Sequence, residues 1–112
     1  MKNNLKIALL ELRAKKKSTF AFNLQNFYQL EACAQVANKL KVPVIIQFSE
    51  RFLRFLNDKY SLEYIIKKYK TDYTYFHLDH CIDLDFIKFC VDSGFDSVMY
   101  DGSAFAIDEK LT

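Results

Sequence analysis

Short apolar runs alternate along this chain with longer segments in which apolar residues recur every three or four positions. The run 44–48, Val-Ile-Ile-Gln-Phe, is typical of a strand buried on both faces of a parallel sheet. The segment 26–41 instead has the period of an amphipathic helix, and Pro43 follows its end. Because parallel strands are joined by helical crossovers, this alternation predicts an α/β protein built from βα repeats.

The same pattern, followed along the chain, predicts four strands and four helices. The predicted helices cover 4–16, 26–41, 62–69 after an N-capping Ser61, and a segment from about 83 to a terminating Gly94. The predicted strands cover 18–24, 44–48, 74–80 and 97–100, and the segment that runs to Thr112 shows the start of another helix. Right-handed βα units of this kind form either an open doubly wound sheet or part of a (β/α)8 barrel.

The third predicted strand carries the most reactive side chains. Aromatic residues lead up to Phe76, and His77, Asp79 and His80 then follow within four positions. Reactive groups of α/β proteins collect where a parallel strand ends. Along an ideal strand His77 and Asp79 share one face, whereas His80 lies on the other. Asp79 and His80 therefore serve one site only if the backbone bends between them, as it would at the end of a strand.

The other predicted strands also end in polar residues, namely Asn23, Ser49, and Asp101 with Ser103. These positions have structural alternatives. Asn23 is also typical of a turn or of a helix cap, and Asp79 is also typical of a carboxylate that caps the next helix. His77 is most simply a packed histidine or a neighbour of the site.

Composition and charge narrow the class of protein. The chain has 112 residues, 51% of them apolar, which suits one small domain with a genuine core. A formal charge of +2 gives no overall field for nucleic acid or membranes, and we expect neither partner. Lysine runs at 15–17 and 67–70 fall at predicted helix ends, where cations favour the helix dipole. Three cysteines without a CxxC motif favour free thiols in the cytoplasm, and the apolar run 7–10 is too short for a signal or a membrane span.

Four blocks of sequence occur in an order that is known from one enzyme family. The blocks are Ala21-Phe22-Asn23, the segment 43–50 (Pro-Val-Ile-Ile-Gln-Phe-Ser-Glu), His77-Leu78-Asp79-His80, and the segment 94–103 (Gly-Phe-Asp-Ser-Val-Met-Tyr-Asp-Gly-Ser). In this order the chain resembles the zinc-dependent class II fructose-bisphosphate and tagatose-bisphosphate aldolases from about residue 5 to the end. The resemblance implies the amino-terminal half of a TIM (β/α)8 barrel, with 1–112 as a single incomplete domain of about four βα units.

The resemblance also implies an activity and a set of site residues. The family consists of lyases of carbohydrate metabolism that cleave a ketose bisphosphate to dihydroxyacetone phosphate and glyceraldehyde 3-phosphate. The counterpart of Asp79 is the general acid/base, and the counterpart of His80 is a ligand of the catalytic Zn²⁺. The counterparts of Asn23 and Ser49 line the substrate pocket, and that of Asp101 is associated with a second metal position.

The chain departs from the family pattern in ways that shape these expectations. A catalytic zinc takes three protein ligands, yet the sequence has only two histidines, and the family's other histidines and phosphate-binding glycine-rich loops belong to a second half. Cys81 stands where the family commonly has glycine, and Lys, Ser or Arg replace the glycines expected before the first strand and after Glu50. We therefore expect an inactive isolated chain that is either a truncated aldolase or a non-catalytic half-barrel. Unpaired sheet edges would make such a half-barrel associate with itself, with a full-length homologue or with the missing half. The choice between fructose and tagatose bisphosphate stays open.

Overall fold

Residues 4–106, which the computed structural model describes, form four strands and five helices in mostly alternating order. In chain order the elements are α1 Leu5–Ala14, β1 Ala21–Asn23, α2 Phe27–Leu40, β2 Val44–Ser49, α3 Glu50–Lys59, α4 Leu62–Tyr69, β3 Thr74–Cys81, α5 Leu84–Ser93 and β4 Ser97–Tyr100.

The four strands form one sheet in the order β1-β2-β3-β4, and every neighbouring pair is parallel. Each strand therefore lies beside the strand that precedes it in sequence, and all carboxyl ends point to the same edge of the sheet. This arrangement confirms the predicted α/β class with parallel βα repeats.

A side chain caps the start of each helix in this part of the chain. The capping residues, whose side-chain oxygens accept backbone N–H groups, are Asn4, Asn26, Ser49, Ser61 and Asp83. Asp83 caps α5 and Asn26 caps α2, so the capping alternatives for Asp79 and Asn23 are wrong. Gly94 ends α5 with a φ of 115°, as predicted, because glycine adopts this left-handed conformation without steric cost.

The core lies between one face of the sheet and helices α2 to α5. Phe48 and Phe76 stack with ring centroids 5.8 Å apart, and Phe95 packs against both rings at 5.9 and 6.0 Å. Ile46 and Leu78, which lie on the same face of the sheet, are fully buried in this cluster. Alternate residues of β2 and β3 therefore point to the opposite face, which carries the polar side chains.

The sequence-based prediction missed one helix and misplaced the bounds of one strand. No helix was predicted between Ser49 and Ser61, yet α3 begins immediately after β2, because Ser49 caps it and Leu53 and Leu56 bury one side of it. The first strand was predicted over 18–24 but covers only Ala21–Asn23. The predicted start of a helix near the end of the chain falls mainly on 107–112, which lie outside the described residues.

Both outer strands of the sheet have a free edge within residues 4–106, since β1 pairs only with β2 and β4 only with β3. Phe20 and Phe22, at the β1 edge, are 70% and 43% exposed. In the same part of the chain no helix is long and apolar enough to cross a membrane.

Candidate active site

The predicted site residues meet at the carboxyl edge of the sheet. The register aligns Asn23 with Gln47, Gln47 with His77, and Ser49 with Asp79, so these side chains share the face opposite the aromatic core. A cleft of about 390 Å³ opens there, and its lining residues are Asn23, Leu24, Gln25, Ser49, Glu50, Arg51, Asp79 and His80. Four of the five predicted site residues therefore line one cleft, and the fifth, Asp101, reaches it through His80.

Asp79 occupies the centre of this group and is held from two sides. Gln47 Nε2 donates to Asp79 Oδ2 at 3.1 Å and also to Asn23 Oδ1 at 3.0 Å. On the other side, His77 Nε2 lies 3.7 Å from Asp79 Oδ1. The Asp79 side chain is only 18% exposed, so it faces the cleft from a largely buried position.

His80 reaches the same cleft because the backbone of β3 is irregular. The register with β4 shifts between Leu78 and Cys81, and His80 has a φ of 45°. The bend predicted between Asp79 and His80 is therefore present, but it lies inside the strand instead of at its end. It brings His80 Nε2 to 3.6 Å from Asp79 Oδ2. A left-handed histidine costs roughly 1–3 kcal/mol, which the surrounding sheet must offset.

Asp101 orients the imidazole of His80. Asp101 Oδ2 lies 3.1 Å from His80 Nδ1, and Asp101 Oδ1 accepts from the backbone N–H of Ser103 at 3.0 Å. Hydrogen bonds from Ser103, followed by that from His80, lower the pKa of Asp101 to about 2, so the carboxylate is ionised at neutral pH. An ionised carboxylate only accepts, so it fixes a proton on His80 Nδ1 and turns Nε2 toward the cleft.

The pairing of His80 with Asp101 is typical of a histidine that serves as one ligand of a zinc site. Metal-binding histidines usually donate their second ring N–H to a carboxylate, as His80 does to Asp101. Within residues 4–106, however, no three His, Cys, Asp or Glu side chains converge so as to hold a metal ion. His80 thus fits part of a ligand set, and the described residues do not complete it.

His77 is a neighbour of the site, as the sequence suggested. Its Nδ1 lies 2.6 Å from Ser97 Oγ, and burial lowers its pKa, an effect that the nearby Asp79 carboxylate partly opposes. Because Asp79 only accepts, the neutral ring presents Nε2–H to it and accepts from the Ser97 hydroxyl through Nδ1.

Sequence reasoning missed Gln47 and the surroundings of Cys81. Gln47 precedes Ser49 by two positions in an otherwise apolar strand, a spacing that places both on one face and was the available signal.

Cys81 Sγ donates to Glu50 Oε1 at 3.0 Å, and burial raises the pKa of Cys81 to about 11. Hydrogen bonds from Cys81 and then from Arg54 lower the pKa of Glu50. Glu50 is therefore already paired at the rim of the cleft.

Parallel βα units with an Asp-His pair at the tip of the third strand are the arrangement that the sequence blocks implied. Residues 3–112 match the family described as fructose-bisphosphate aldolase class-II. The chain belongs to this class II aldolase family.

Individual relatives of this class II aldolase chain agree with that assignment. A fructose-bisphosphate aldolase of Giardia intestinalis is 34% identical over 110 residues, which cover 96% of this chain and 34% of the relative. A 6-phospho-5-dehydro-2-deoxy-D-gluconate aldolase of Halalkalibacterium halodurans is 31% identical over 113 residues, covering 96% of this chain and 39% of the relative. The class II aldolase chain spans little more than a third of the length of these curated relatives.

A solved structure confirms the fold class. The crystal structure of the YdjI aldolase from Escherichia coli K12 matches 97% of this class II aldolase chain and 43% of its own chain, with a TM-score of 0.72 and 25% identity. The four parallel βα units are thus those of the amino-terminal part of a TIM-barrel aldolase.

Proposed function

We propose that this chain supplies the acid/base residue and one metal ligand for the aldol cleavage of a phosphorylated ketose, either fructose or tagatose bisphosphate. The observation that carries the proposal is the position of Asp79 beside His80 in a cleft that Asn23 and Ser49 also line. The products would be dihydroxyacetone phosphate and glyceraldehyde 3-phosphate. The domain 1–112 is, on this proposal, one incomplete class II aldolase domain.

Asp79 is suited to moving a proton at the C4 hydroxyl of the sugar. The Gln47 amide fixes Asp79 Oδ2, and the neutral His77 ring faces Oδ1, so the carboxylate has a defined orientation when substrate arrives. A positioned acid/base group of this kind contributes about 10²- to 10⁴-fold to a rate.

His80 would hold the zinc through Nε2. When bound, zinc acts as a Lewis acid on the substrate carbonyl and stabilises the enediolate. His77, the other histidine of the sequence, is engaged by Ser97 and Asp79, so we infer that the remaining zinc ligands come from further polypeptide, either a second half or a partner. Asp101 would orient His80, and its expected part in a second metal position stays a prediction.

Asn23 and Ser49 would contact the sugar. Ser49 Oγ accepts the backbone N–H of Phe52 as the cap of α3, which leaves its hydroxyl proton available for a substrate oxygen. Asn23 Oδ1 accepts from Gln47, which leaves the Asn23 amide group free to donate. We place the protein in the cytoplasm, where its three cysteines, free in the structure, would stay reduced.

The test is a fusion of this chain to the remaining barrel of the Giardia relative, assayed with zinc and each bisphosphate. We expect cleavage of at least one of the two. Asp79→Ala should lower kcat at least about 100-fold with the zinc content unchanged, whereas His80→Ala should lower the zinc content itself. Asp92→Ala, which removes an exposed carboxylate of α5, is the matched control and should keep full activity. Full activity in Asp79→Ala would remove Asp79 from the mechanism.

A second candidate function is a non-catalytic half-barrel that associates with itself or with a full-length homologue. The free edges of β1 and β4 and the exposed rings of Phe20 and Phe22 favour it. Light scattering after size exclusion is the measurement, with and without the Giardia relative. A stable monomer that binds nothing counts decisively against this function.

A further inference from the structure

The cleft at the strand tips contains a positive charge that the aldolase assignment does not explain. Arg51 lines the cleft together with Asp79 and His80, two positions after Ser49, the register partner of Asp79. The family resemblance calls for glycine at this point, so a long cationic side chain stands where the family commonly has no side chain.

Arg51 has no partner among the residues that the structure describes. Its side chain makes no hydrogen bond and no ion pair within residues 4–106. Arg54, one turn further along α3, behaves in the opposite way, since it pairs with Glu50 at 2.8 Å and with Asp83 at 2.7 Å. Glu50 is engaged by Arg54 and by Cys81, and Asp79 is engaged by Gln47, so the carboxylates that line the same cleft already have other partners.

We propose that Arg51 binds a terminal phosphate of the sugar substrate. This inference rests on the proposed function, because it places the phosphate in the cleft of Asp79 and His80. A guanidinium group offers two parallel N–H donors that match two phosphate oxygens, and it stays charged at every physiological pH. In the family the phosphate-binding loops belong to the second half, so Arg51 would give the amino-terminal half a phosphate contact of its own. The chain would then recognise the substrate's anionic end without that half.

The experiment titrates the 112-residue chain with inorganic phosphate at low salt, following backbone amide shifts. We expect saturable shifts at 49–52 in the parent chain. Arg51→Gln should raise the dissociation constant for phosphate about tenfold, since it removes a charge-assisted contact. The constant of Arg51→Lys should fall between those of the parent chain and Arg51→Gln. Neutral fructose, which lacks the anionic group, should cause no saturable shift at 49–52.

Two matched variants complete the design. Lys59→Gln removes one positive charge from the far end of α3, away from the cleft, and should leave the dissociation constant within about twofold. Asp79→Asn should not weaken phosphate binding, because it removes a negative charge from the cleft. The proposal is overturned if the parent chain does not bind phosphate, or if Arg51→Gln and Lys59→Gln bind it equally well.

Failure of this inference is distinguishable from failure of the proposed function. Phosphate binding is read on the chain alone without any catalytic step, whereas the role of Asp79 is read from the activity of the fused enzyme. Equal phosphate affinity in Arg51→Gln with an active fusion would reject only Arg51. Weakened affinity together with full activity of Asp79→Ala would reject only the catalytic assignment.

Discussion

Asp79 shows how the sheet prepares a reactive carboxylate before any ligand is bound. Its two oxygens face different partners, the Gln47 amide and the His77 ring, and both partners are neutral. Neutral donors orient a carboxylate without pairing it with a charge, so Asp79 has a defined position in the cleft before a ligand binds.

Gln47 is the residue on which this geometry depends most. Gln47→Met keeps the size of the side chain but leaves Asp79 Oδ2 and Asn23 Oδ1 without their donor. We expect the free energy of unfolding in urea to fall by about 1–2 kcal/mol, the usual result of removing the partner of a largely buried polar group. Gln35→Met, on the exposed side of α2, is the control and should change it by less than about 0.5 kcal/mol. An equal effect of both substitutions would contradict the role of Gln47.

Titration of His77 should make the free energy of unfolding depend on pH, at higher pH values than those at which the carboxylates titrate. Burial lowers its pKa from the ordinary value of 6.5, so the unfolded chain binds this proton more readily than the folded protein. The contribution of His77 to the free energy of unfolding is complete above pH 6.5. It is lost as the pH falls through the lower pKa that His77 has in the folded protein. We expect the urea midpoint to decrease from about pH 7 to pH 5.5, and to decrease less in His77→Gln.

The carboxylates supply the contrast for this measurement. The pKa values of Glu50 and Asp101 are lowered from 4.5 and 3.8, so their stabilising effect is lost only at more acidic pH. Equal slopes for the parent chain and His77→Gln between pH 7 and 5.5 would show that His77 does not titrate in this way.

At the scale of elements, the end of α2 is formed by a residue type that is unusual at such a position. The C-cap of α2 is Lys41, which has a φ of 54° and donates its N–H to Ala37 O. Glycine is the usual residue at such a position, because a Cβ atom disfavours the left-handed conformation by about 1–2 kcal/mol. Lys41 therefore ends the helix in a strained backbone conformation.

Lys41→Gly should relieve that strain. We expect a gain of about 0.5–1 kcal/mol in the free energy of unfolding, since part of the relief is offset by the flexibility of glycine in the unfolded chain. Lys39→Gly, in the last turn of the same helix, should lose about 1 kcal/mol because its conformation is helical. Urea denaturation of both variants measures the two effects, and the same sign for both would contradict the explanation.

Most helices and strands were predictable from the spacing of apolar residues and from the capping residues. The elements that the sequence did not predict correctly have physical explanations. The strands β2, β3 and β4 and the helices capped by Ser61 and ended by Gly94 lie where the pattern placed them. Helix α3 was missed because it starts at the residue after β2, with neither glycine nor proline between them. Ser49 ends the strand and caps the helix at once, so a single polar residue carries two signals.

The sequence predicted which residues meet at the strand ends, whereas their contacts were not predictable and their roles stay predictions. Residue types at strand ends, together with the family blocks, pointed to Asn23, Ser49, Asp79, His80 and Asp101. The left-handed backbone of His80 had no signal, because a positive φ is uncommon for any residue other than glycine and the residue spacing of a strand does not reveal it. The link between His80 and Asp101 depends on the β3–β4 register, which only the sheet defines.

For the whole molecule, the open sheet is the feature with the largest consequence for behaviour in solution. If the β1 edge mediates self-association, Phe20→Lys should lower the apparent mass measured by light scattering at a given concentration, because charge on an edge opposes strand pairing. Tyr28→Lys is the control, since Tyr28 is 87% exposed and belongs to helix α2, not to the strand whose edge is tested. An unchanged mass in Phe20→Lys, or the same decrease in both variants, would exclude the β1 edge as the interface.

The order β1-β2-β3-β4 repeats the order of synthesis. A ribosome releases the amino-terminal residues first, so each new strand emerges when the strand that it pairs with is already outside the exit tunnel. The rings of Phe48, Phe76 and Phe95 would join in that same sequence, each one enlarging an apolar surface formed by the ones before it. The nascent sheet can therefore grow stepwise during translation, with each new strand pairing along the edge that the strand before it presents.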